Sequence, residues 1–213
     1  MEVSHREEPP MSRLTDLLTP RLPEGFTVPE PLDRAWSWME QQGWVVDGPN
    51  GYFVTPYPGC RQLGAVFSAQ ESLDGWFEPG DPGFDQLVPI AQISGDGGTG
   101  AVWIDGDQVR FVALGSDGDT YLLADSPVDF LRLIAVGYHE ISSWDLGEEP
   151  EDEDAVEAHA AFRAWVEAEL DTDVPSIWPA TDPDPFEAWV GRMQAERGGQ
   201  TPGPLTGTPP TTP

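Results

Sequence analysis

Apolar residues near the start of the chain repeat with the period of an α-helix. Leu32, Ala35, Trp36 and Met39 stand at positions i, i+3, i+4 and i+7, and Gly43 follows them. Side chains at this spacing line one face of a helix, and glycine is a common residue at a helix end. The pattern therefore predicts an amphipathic helix that packs on a core.

Three further helices are predicted downstream. The first has Ser126 as its N-cap, Pro127 at its first position and Gly137 after its last turn, a combination typical of helix ends. The other two run from about Asp154 to Leu170 and from Asp184 onward. Their side chains expected to face inward are Phe162, Trp165, Val166, Phe186, Trp189, Val190 and Met193.

Between these helices the pattern changes to the short apolar runs that are typical of strands. Two runs at 44–46 and 52–54 flank a five-residue turn that contains Asp, Gly, Pro and Asn, which predicts a hairpin. Residues 68–85 are rich in Gly, Pro and Asp and are predicted to form a loop. Further strands are predicted at 64–67, 88–93, 101–105, 108–114 and 121–124.

The order of these elements predicts an α+β fold, with an antiparallel-rich sheet of about five or six strands and helices on one side of it. Residues 1–25 are predicted to form an N-terminal arm, 26–144 the α+β domain, and 145–197 an acidic linker with a helical extension. Residues 198–213 are predicted to be a disordered tail, because a Pro/Thr/Gly segment cannot build a core. The sequence leaves open whether the extension packs on the sheet.

The charge of the chain narrows the class of partner. The 213 residues include 38 Asp and Glu against 10 Arg and no Lys, for a formal net charge of -28. Nucleic acids and anionic membranes would be repelled, whereas a basic protein would be attracted. The charge is densest after position 144, where 69 residues carry 16 acidic and 3 basic side chains, against 22 and 7 in the first 144.

Sequence features also suggest a cellular location. The chain has no apolar run near the ~20 residues of a membrane span, and its first residues lack the basic and apolar regions of a secretory signal. The single Cys60 cannot form an internal disulfide. We therefore expect a cytoplasmic protein.

The middle of the chain carries a recognisable series of features. The Pro-led run LVPIA at 87–91 precedes the glycine-rich turn SGDGG at 94–98 and hydrophobic strands at 102–103 and 109–114. The run LLADSPVDFL at 122–131 then opens a helix with the form A-x-S-x-x-x-F-L. Over about 55 residues this series resembles the SUKH (Smi/Knr-like) superfamily, whose bacterial members are largely immunity proteins of polymorphic toxin systems.

The resemblance implies an α+β fold, the absence of enzyme activity that is typical of most members, and binding of a cognate toxin. Some relatives are instead hubs for other proteins, so the fold alone does not imply immunity.

The residues themselves favour no catalytic or cofactor site. Gly95, Gly97 and Gly100 match a dinucleotide-binding string, but a strand is predicted to follow them where that motif needs a helix. A β-turn is the better interpretation. The Asp-Gly turns around 105–107 and 117–119 lack the bidentate Glu of a Ca²⁺ loop, and His139 lacks the second His of a zinc helix. We predict no catalytic residue, no metal and no cofactor.

Candidate partner-binding residues fall into three groups. Trp76 lies in a polar loop, where it is either a binding hot spot or an anchor that packs into the core. The carboxylates of two turns form the second group. The third is the block 145–157, in which eight of thirteen residues are acidic; it is either a solvated linker or an electrostatic clamp for a basic surface. The candidates are Trp76, Asp105, Asp107, Asp117, Asp119, Asp145, Glu148, Glu149, Glu151, Asp152, Glu153 and Asp154.

These features together predict a non-catalytic immunity protein that binds and neutralises a cognate basic toxin, for example a nuclease. Nuclease clefts are basic because they hold phosphates, so an acidic protein would block them. A regulatory or scaffold protein of the same fold is one alternative. An acidic mimic of nucleic acid is another.

Overall fold

The computed structural model describes residues 11–59 and 61–199. Within them five α-helices and seven β-strands follow one another, with two single 3₁₀ turns at Thr19–Arg21 and Phe84–Gln86. The helices are α1 (Arg13–Leu18), α2 (Glu30–Gln41), α3 (Pro127–Val136), α4 (Glu153–Glu169) and α5 (Pro185–Gly199). The strands are β1 (Val45–Gly48), β2 (Gly51–Val54), β3 (Val66–Ser68), β4 (Leu87–Gln92), β5 (Thr99–Asp105), β6 (Gln108–Leu114) and β7 (Thr120–Ala124).

All seven strands form one antiparallel sheet in which each strand pairs with the next along the chain. The predicted α+β class is therefore confirmed, but the predicted number of five or six strands is too low. Each of the seven predicted apolar runs overlaps a strand, and the three-residue β3 pairs with both β2 and β4 and so joins the first hairpin to the rest of the sheet. The first hairpin is also tighter than predicted: Gly48 pairs with Gly51, which leaves a two-residue turn.

Helices cover both faces of the sheet, so the prediction that they lie on one side was wrong. Phe111 and Ala113 of β6 belong to the core under α1–α4, whereas the alternating Val112 and Leu114 belong to a second core under α5. Successive side chains of a strand point to opposite faces. Strands that are apolar at every position therefore require a cover on each face.

The first cover is built on α2 and α3. The buried residues of α2 are the four that its helical period predicts. In α3 the Ser126 hydroxyl accepts a hydrogen bond from the Asp129 amide at 3.1 Å, as expected of an N-cap. Gly137 ends α3 with φ +91°, and a Cβ there would lie 2.9 Å from the Cα of Val156. Glycine therefore lets α4 pack closely against the end of α3.

The second cover is α5, which packs on the strands that follow the 3₁₀ turn. The rings of Phe186 and Trp189 lie 5.2 and 5.5 Å from that of Trp103 on β5. Asp184 connects the helix to the sheet edge, because one of its carboxylate oxygens accepts from the Phe186 amide and the other from the Leu122 amide of β7 at 2.7 Å. The extension, whose packing the sequence left open, therefore docks on the sheet.

The two ends of the described chain refine the predicted boundaries. Leu14 and Leu18 of α1 are buried in the main core, and Glu40 of α2 accepts from the amides of Arg13 and Leu14 at the start of α1. At the other end, α5 runs to Gly199, two residues into the predicted tail. The rest of that tail, 200–213, lies outside the described residues.

A histidine is buried where α4 packs against the loop that follows β2. His159 is 1% exposed, its Nδ1–H donates to the Ala155 carbonyl at 2.7 Å, and its ring packs against that of Tyr57. Its Nε2 has no hydrogen-bond partner among the described residues. Burial lowers the pKa of His159 below its ordinary value of 6.5, so the folded protein holds it neutral.

We predict that the free energy of unfolding falls as the pH drops from 7 to 5. Because the pKa of His159 is lowered in the folded protein, the unfolded chain takes up a proton as the pH falls through about 6.5 and the folded chain does so only at lower pH, so protonation favours unfolding. Urea unfolding at pH 7, 6 and 5 measures this loss. The variant His159→Gln should lose less stability over the same range, and an equal loss in both proteins would contradict the assignment.

A second prediction tests the docking of α5. Trp189→Ala should reduce the free energy of unfolding by about 3–5 kcal/mol, because it leaves a cavity in the second core. Arg192→Ala, on the exposed side of the same helix, is the control and should change stability by less than about 0.5 kcal/mol. Thermal and urea unfolding measure both effects. A similar small effect of the two variants would show that α5 is not docked.

Candidate functional site

The loop 141–148, between α3 and α4, is fixed in place by hydrogen bonds to four parts of the fold. Its first residue is bound to the residue that follows β4 and to β7, a central residue to the β6–β7 turn, and its end to the segment before α5. The bonds are Ile141 N to Ile93 O (2.9 Å), Tyr121 Oη to Ile141 O (2.9 Å), Ser143 Oγ to Asp119 Oδ2 (2.8 Å) and Gly147 N to Trp178 O (2.7 Å). The loop is therefore ordered before any partner binds.

This fixed loop holds Trp144 out into solvent. Trp144 is 88% exposed, the highest value among the large hydrophobic side chains of the described residues. Its own amide donates to the Ser142 hydroxyl, and Asp145 accepts from the Ser142 amide at 3.1 Å. A large apolar ring on an ordered loop is costly to leave in water and loses little entropy on binding. These are the properties of a binding anchor.

Four carboxylates lie around this loop, and we call them the carboxylate ring: Asp96, Asp119, Glu140 and Asp145. Glu140 accepts from the Gly95 amide at 2.9 Å and so ties the β4–β5 turn to the residues after α3. Asp96 accepts from the Ser116 hydroxyl at 2.6 Å and so ties that turn to the β6–β7 turn. The ring therefore joins two turns and the loop at one end of the sheet.

Two pKa shifts describe the electrostatics of the carboxylate ring. Hydrogen bonds from the hydroxyls of Ser116 and Ser94 hold the pKa of Asp96 below its ordinary value, so this carboxylate is charged at neutral pH. Burial raises the pKa of Tyr121, and the negative charges of Asp119, Asp145 and Asp96 raise it further. The phenol of Tyr121 therefore stays protonated and keeps its hydrogen bond to the loop.

The acidic block continues from the ring as one surface. A depression beside Tyr138 and His139 is lined by six carboxylates, from Glu140 and Asp145 on one side and from residues 151–154 on the other. Asp152 also caps α4, because it accepts from the amides of Asp154 and Ala155. Glu148 and Glu149 are exposed on the intervening segment. We call the carboxylate ring together with residues 148–154 the acidic surface.

The structure brings some predicted candidates together and separates others. Asp117 and Asp119 lie at the β6–β7 turn, next to the loop of Trp144. Asp105 and Asp107 lie at the β5–β6 turn, which is at the opposite end of the sheet because consecutive turns of an antiparallel sheet alternate between its ends. Asp105 is also paired with Arg110 at 2.8 Å. These two residues do not belong to the acidic surface.

Trp76 is half-buried and lies against the second core beside α5. Its carbonyl accepts from Arg197 of that helix at 3.2 Å. Part of its ring remains accessible in a surface groove. This packing supports the interpretation of Trp76 as a loop anchor, and its role as a binding hot spot stays a prediction.

Sequence reasoning missed Trp144, Asp96 and Glu140. The signal for Trp144 was present, because a tryptophan in the polar run ISSWD, next to an acidic block and without helical period, has no core face to occupy. Asp96 and Glu140 are 44 positions apart, and their proximity depends on the docking of two turns. No local pattern could have found them.

Other predicted features can be located in the structure. Gly100 of the glycine string lies inside β5, so a strand does follow it and the turn interpretation is confirmed. Within residues 11–59 and 61–199, no three His, Cys, Asp or Glu side chains are placed to hold a metal ion. No helix of the described chain is long and apolar enough to cross a membrane.

Comparison of the chain with family models, with curated proteins and with solved structures found no match.

We predict that Trp144 dominates the response of the tryptophan fluorescence to charged quenchers. Because its ring is exposed among carboxylates, cationic caesium should quench it more strongly than anionic iodide. Trp144→Phe should therefore remove most of the caesium-dependent quenching at low salt. Trp165→Phe, which replaces a half-buried tryptophan on α4, is the control and should change it little. Equal quenching by both ions would contradict a negative potential at Trp144.

Proposed function

We propose that this chain is a non-catalytic binding protein that neutralises a basic partner protein, as an immunity protein of the SUKH type neutralises its toxin. The observation that carries the proposal is the 88% exposed ring of Trp144, held on an ordered loop among carboxylates. An aromatic anchor surrounded by charges of one sign is the arrangement expected of a hot spot for a partner of opposite charge.

The charge of the surface supports a basic partner. The carboxylate ring and residues 148–154 share one part of the molecule, and the exposed carboxylates there create an attractive field for cations. Such a field raises the rate of association most at low salt. Once the partner covers it, the ring of Trp144 would supply the apolar contact that slows dissociation.

A toxin that acts on nucleic acid fits this surface, because its substrate cleft must be basic to hold phosphates. The acidic surface would occupy that cleft and exclude the substrate. No reaction of its own is needed for this role. We therefore also propose that the chain is not an enzyme, because it acts by occupying the cleft of its partner.

The alternative of a nucleic-acid mimic is less well supported. A mimic needs carboxylates spaced along one face as phosphates are along a strand, whereas the Asp105–Asp107 turn and the Asp117–Asp119 turn lie at opposite ends of the sheet. A scaffold protein that binds a basic cellular partner would use the same surface. Identifying the partner as a toxin or as another cellular protein distinguishes immunity from the scaffold role.

Co-expression tests the proposal. The chain should relieve the toxicity of a toxin encoded beside its gene, and Trp144→Ala should weaken binding of that toxin by about 30-fold, the effect of a 2 kcal/mol hot spot. Surface plasmon resonance measures both rate constants. The association rate should fall steeply between 50 and 300 mM salt, with a smaller change in dissociation.

Met11→Ala is the matched control, because Met11 is also an exposed apolar side chain, at 61%, but lies before α1. It should leave the affinity unchanged. Failure of the wild-type chain to relieve toxicity would overturn the immunity role. Unchanged affinity of Trp144→Ala would overturn the assignment of the surface.

A further inference from the structure

A groove of 540 Å³ opens between the loop of Trp144, β7 and α5. The β6–β7 turn and Ser143 form one wall, and the first two turns of α5 form the other. The hydrogen bond from Ser143 to Asp119 makes the rim of the groove continuous with the loop that carries Trp144. Trp144 and the groove are therefore neighbours on the surface.

The lining of the groove combines apolar surface with uncompensated negative charge. The half-buried ring of Trp76 contributes accessible apolar surface, whereas Leu122, Leu146 and Val190 line the groove with only 4–7% of their surface exposed. Three of the fifteen lining residues carry carboxylates, and none of the fifteen carries a positive charge. The oxygens of one of the three, Asp184, already accept hydrogen bonds from backbone amides of β7 and α5.

The other two carboxylates can meet an occupant, Glu187 through its side chain and Asp119 through Oδ1, because Asp119 Oδ2 already accepts from the Ser143 hydroxyl at 2.8 Å. Asp119 lies on the turn at one wall and Glu187 on the first turn of α5 at the other, and both are exposed. An anionic occupant would be repelled by both side chains. A purely apolar occupant would remove both from water without a partner, which is costly. An occupant that suits this lining therefore carries a positive charge and also has an apolar part.

We propose that the groove receives an arginine side chain from the basic partner, which makes it the specificity pocket of the binding surface described above. This inference rests on the proposed function. The aliphatic part of arginine lies in the groove between the β6–β7 turn and Gly191 of α5. Its planar guanidinium stacks on the accessible face of Trp76 and forms charge-assisted hydrogen bonds with Asp119 and Glu187. Lysine has no planar group for the stacking contact, so it should bind less tightly.

The geometry offers a substitution that fills the groove without disturbing the fold. Gly191 of α5 lines the groove, and a Cβ built there meets no atom within 4 Å. Its backbone is helical, so a larger residue is compatible with it and has a higher helix propensity. Gly191→Leu should therefore block the groove in a folded protein. Ala195→Leu, on an exposed position of the same helix outside the groove, is the matched control.

The first experiment uses the full chain and a capped hexapeptide of alternating glycine and arginine, with the glycine–lysine and glycine–glutamate peptides for comparison. In ¹⁵N-resolved NMR titrations at low salt, the arginine peptide should shift the indole signal of Trp76 and the amides around Glu187. The lysine peptide should bind several-fold more weakly, and the glutamate peptide should cause no shifts. Equal affinity for the arginine and lysine peptides would overturn the assignment.

The variants then locate the binding. Gly191→Leu should weaken binding of the arginine peptide at least tenfold, and Glu187→Gln several-fold, whereas Ala195→Leu should have no effect. Glu157→Gln, which removes one exposed charge from α4, controls for the loss of net charge and should also have no effect. Unchanged binding to Gly191→Leu would overturn the proposal.

The same variants separate this proposal from the proposed function. If Trp144→Ala weakens binding of the cognate toxin and Gly191→Leu does not, the surface is correct and the arginine pocket is wrong. If the arginine peptide binds in the groove but the chain fails to relieve toxicity, the pocket stands and the immunity role is wrong.

Discussion

The central strands of the sheet are apolar on both faces, and the rest of the molecule is arranged to cover them. In β5, Val102 faces the core under α1–α4 while Ala101 and Trp103 face the core under α5. A sheet of this kind cannot leave either face in water, because each exposed apolar side chain costs about 1.5–3 kcal/mol. The acidic extension therefore cannot remain a free linker. Its last helix has to return across the sheet, and the segment that leads there passes the end of the strands.

This return path creates the candidate binding surface. Residues 141–148 lead from α3 to α4 on one face, and residues 170–184 then carry the chain past β7 to α5 on the other face. Tyr121 and Trp178 fix this passage through hydrogen bonds to main-chain oxygens, at 2.9 Å to Ile141 and 2.8 Å to Leu123. The exposed Trp144 and the adjacent groove are consequences of that route. Both stand on a rigid support, as a preorganised interface requires.

Backbone amides accommodate part of the excess of carboxylates, in addition to ion pairs. With 38 acidic and 10 basic side chains, most carboxylates have no arginine available. Several instead accept from helix-terminal amides, as Glu40 does at the start of α1, Asp152 at α4 and Asp184 at α5. Anions are stabilised at these positions by the helix dipole. Other carboxylates, among them Glu148, Glu149, Glu151 and Glu153 of the acidic surface, are exposed and create a negative field that would attract a basic partner.

The sequence by itself determined the local elements, because helix and strand periods and helix caps depend on neighbouring residues. These elements include the buried face of α2, the Ser126 cap of α3, the strand Gln108–Leu114 and the start of α5 at Pro185. The sequence also determined the net charge. The tertiary structure decided which face each helix covers, and it placed α5 opposite the others. It also decided that Trp144, and not Trp76, is the exposed ring among carboxylates. Those outcomes depend on contacts between residues tens of positions apart, which no local pattern encodes.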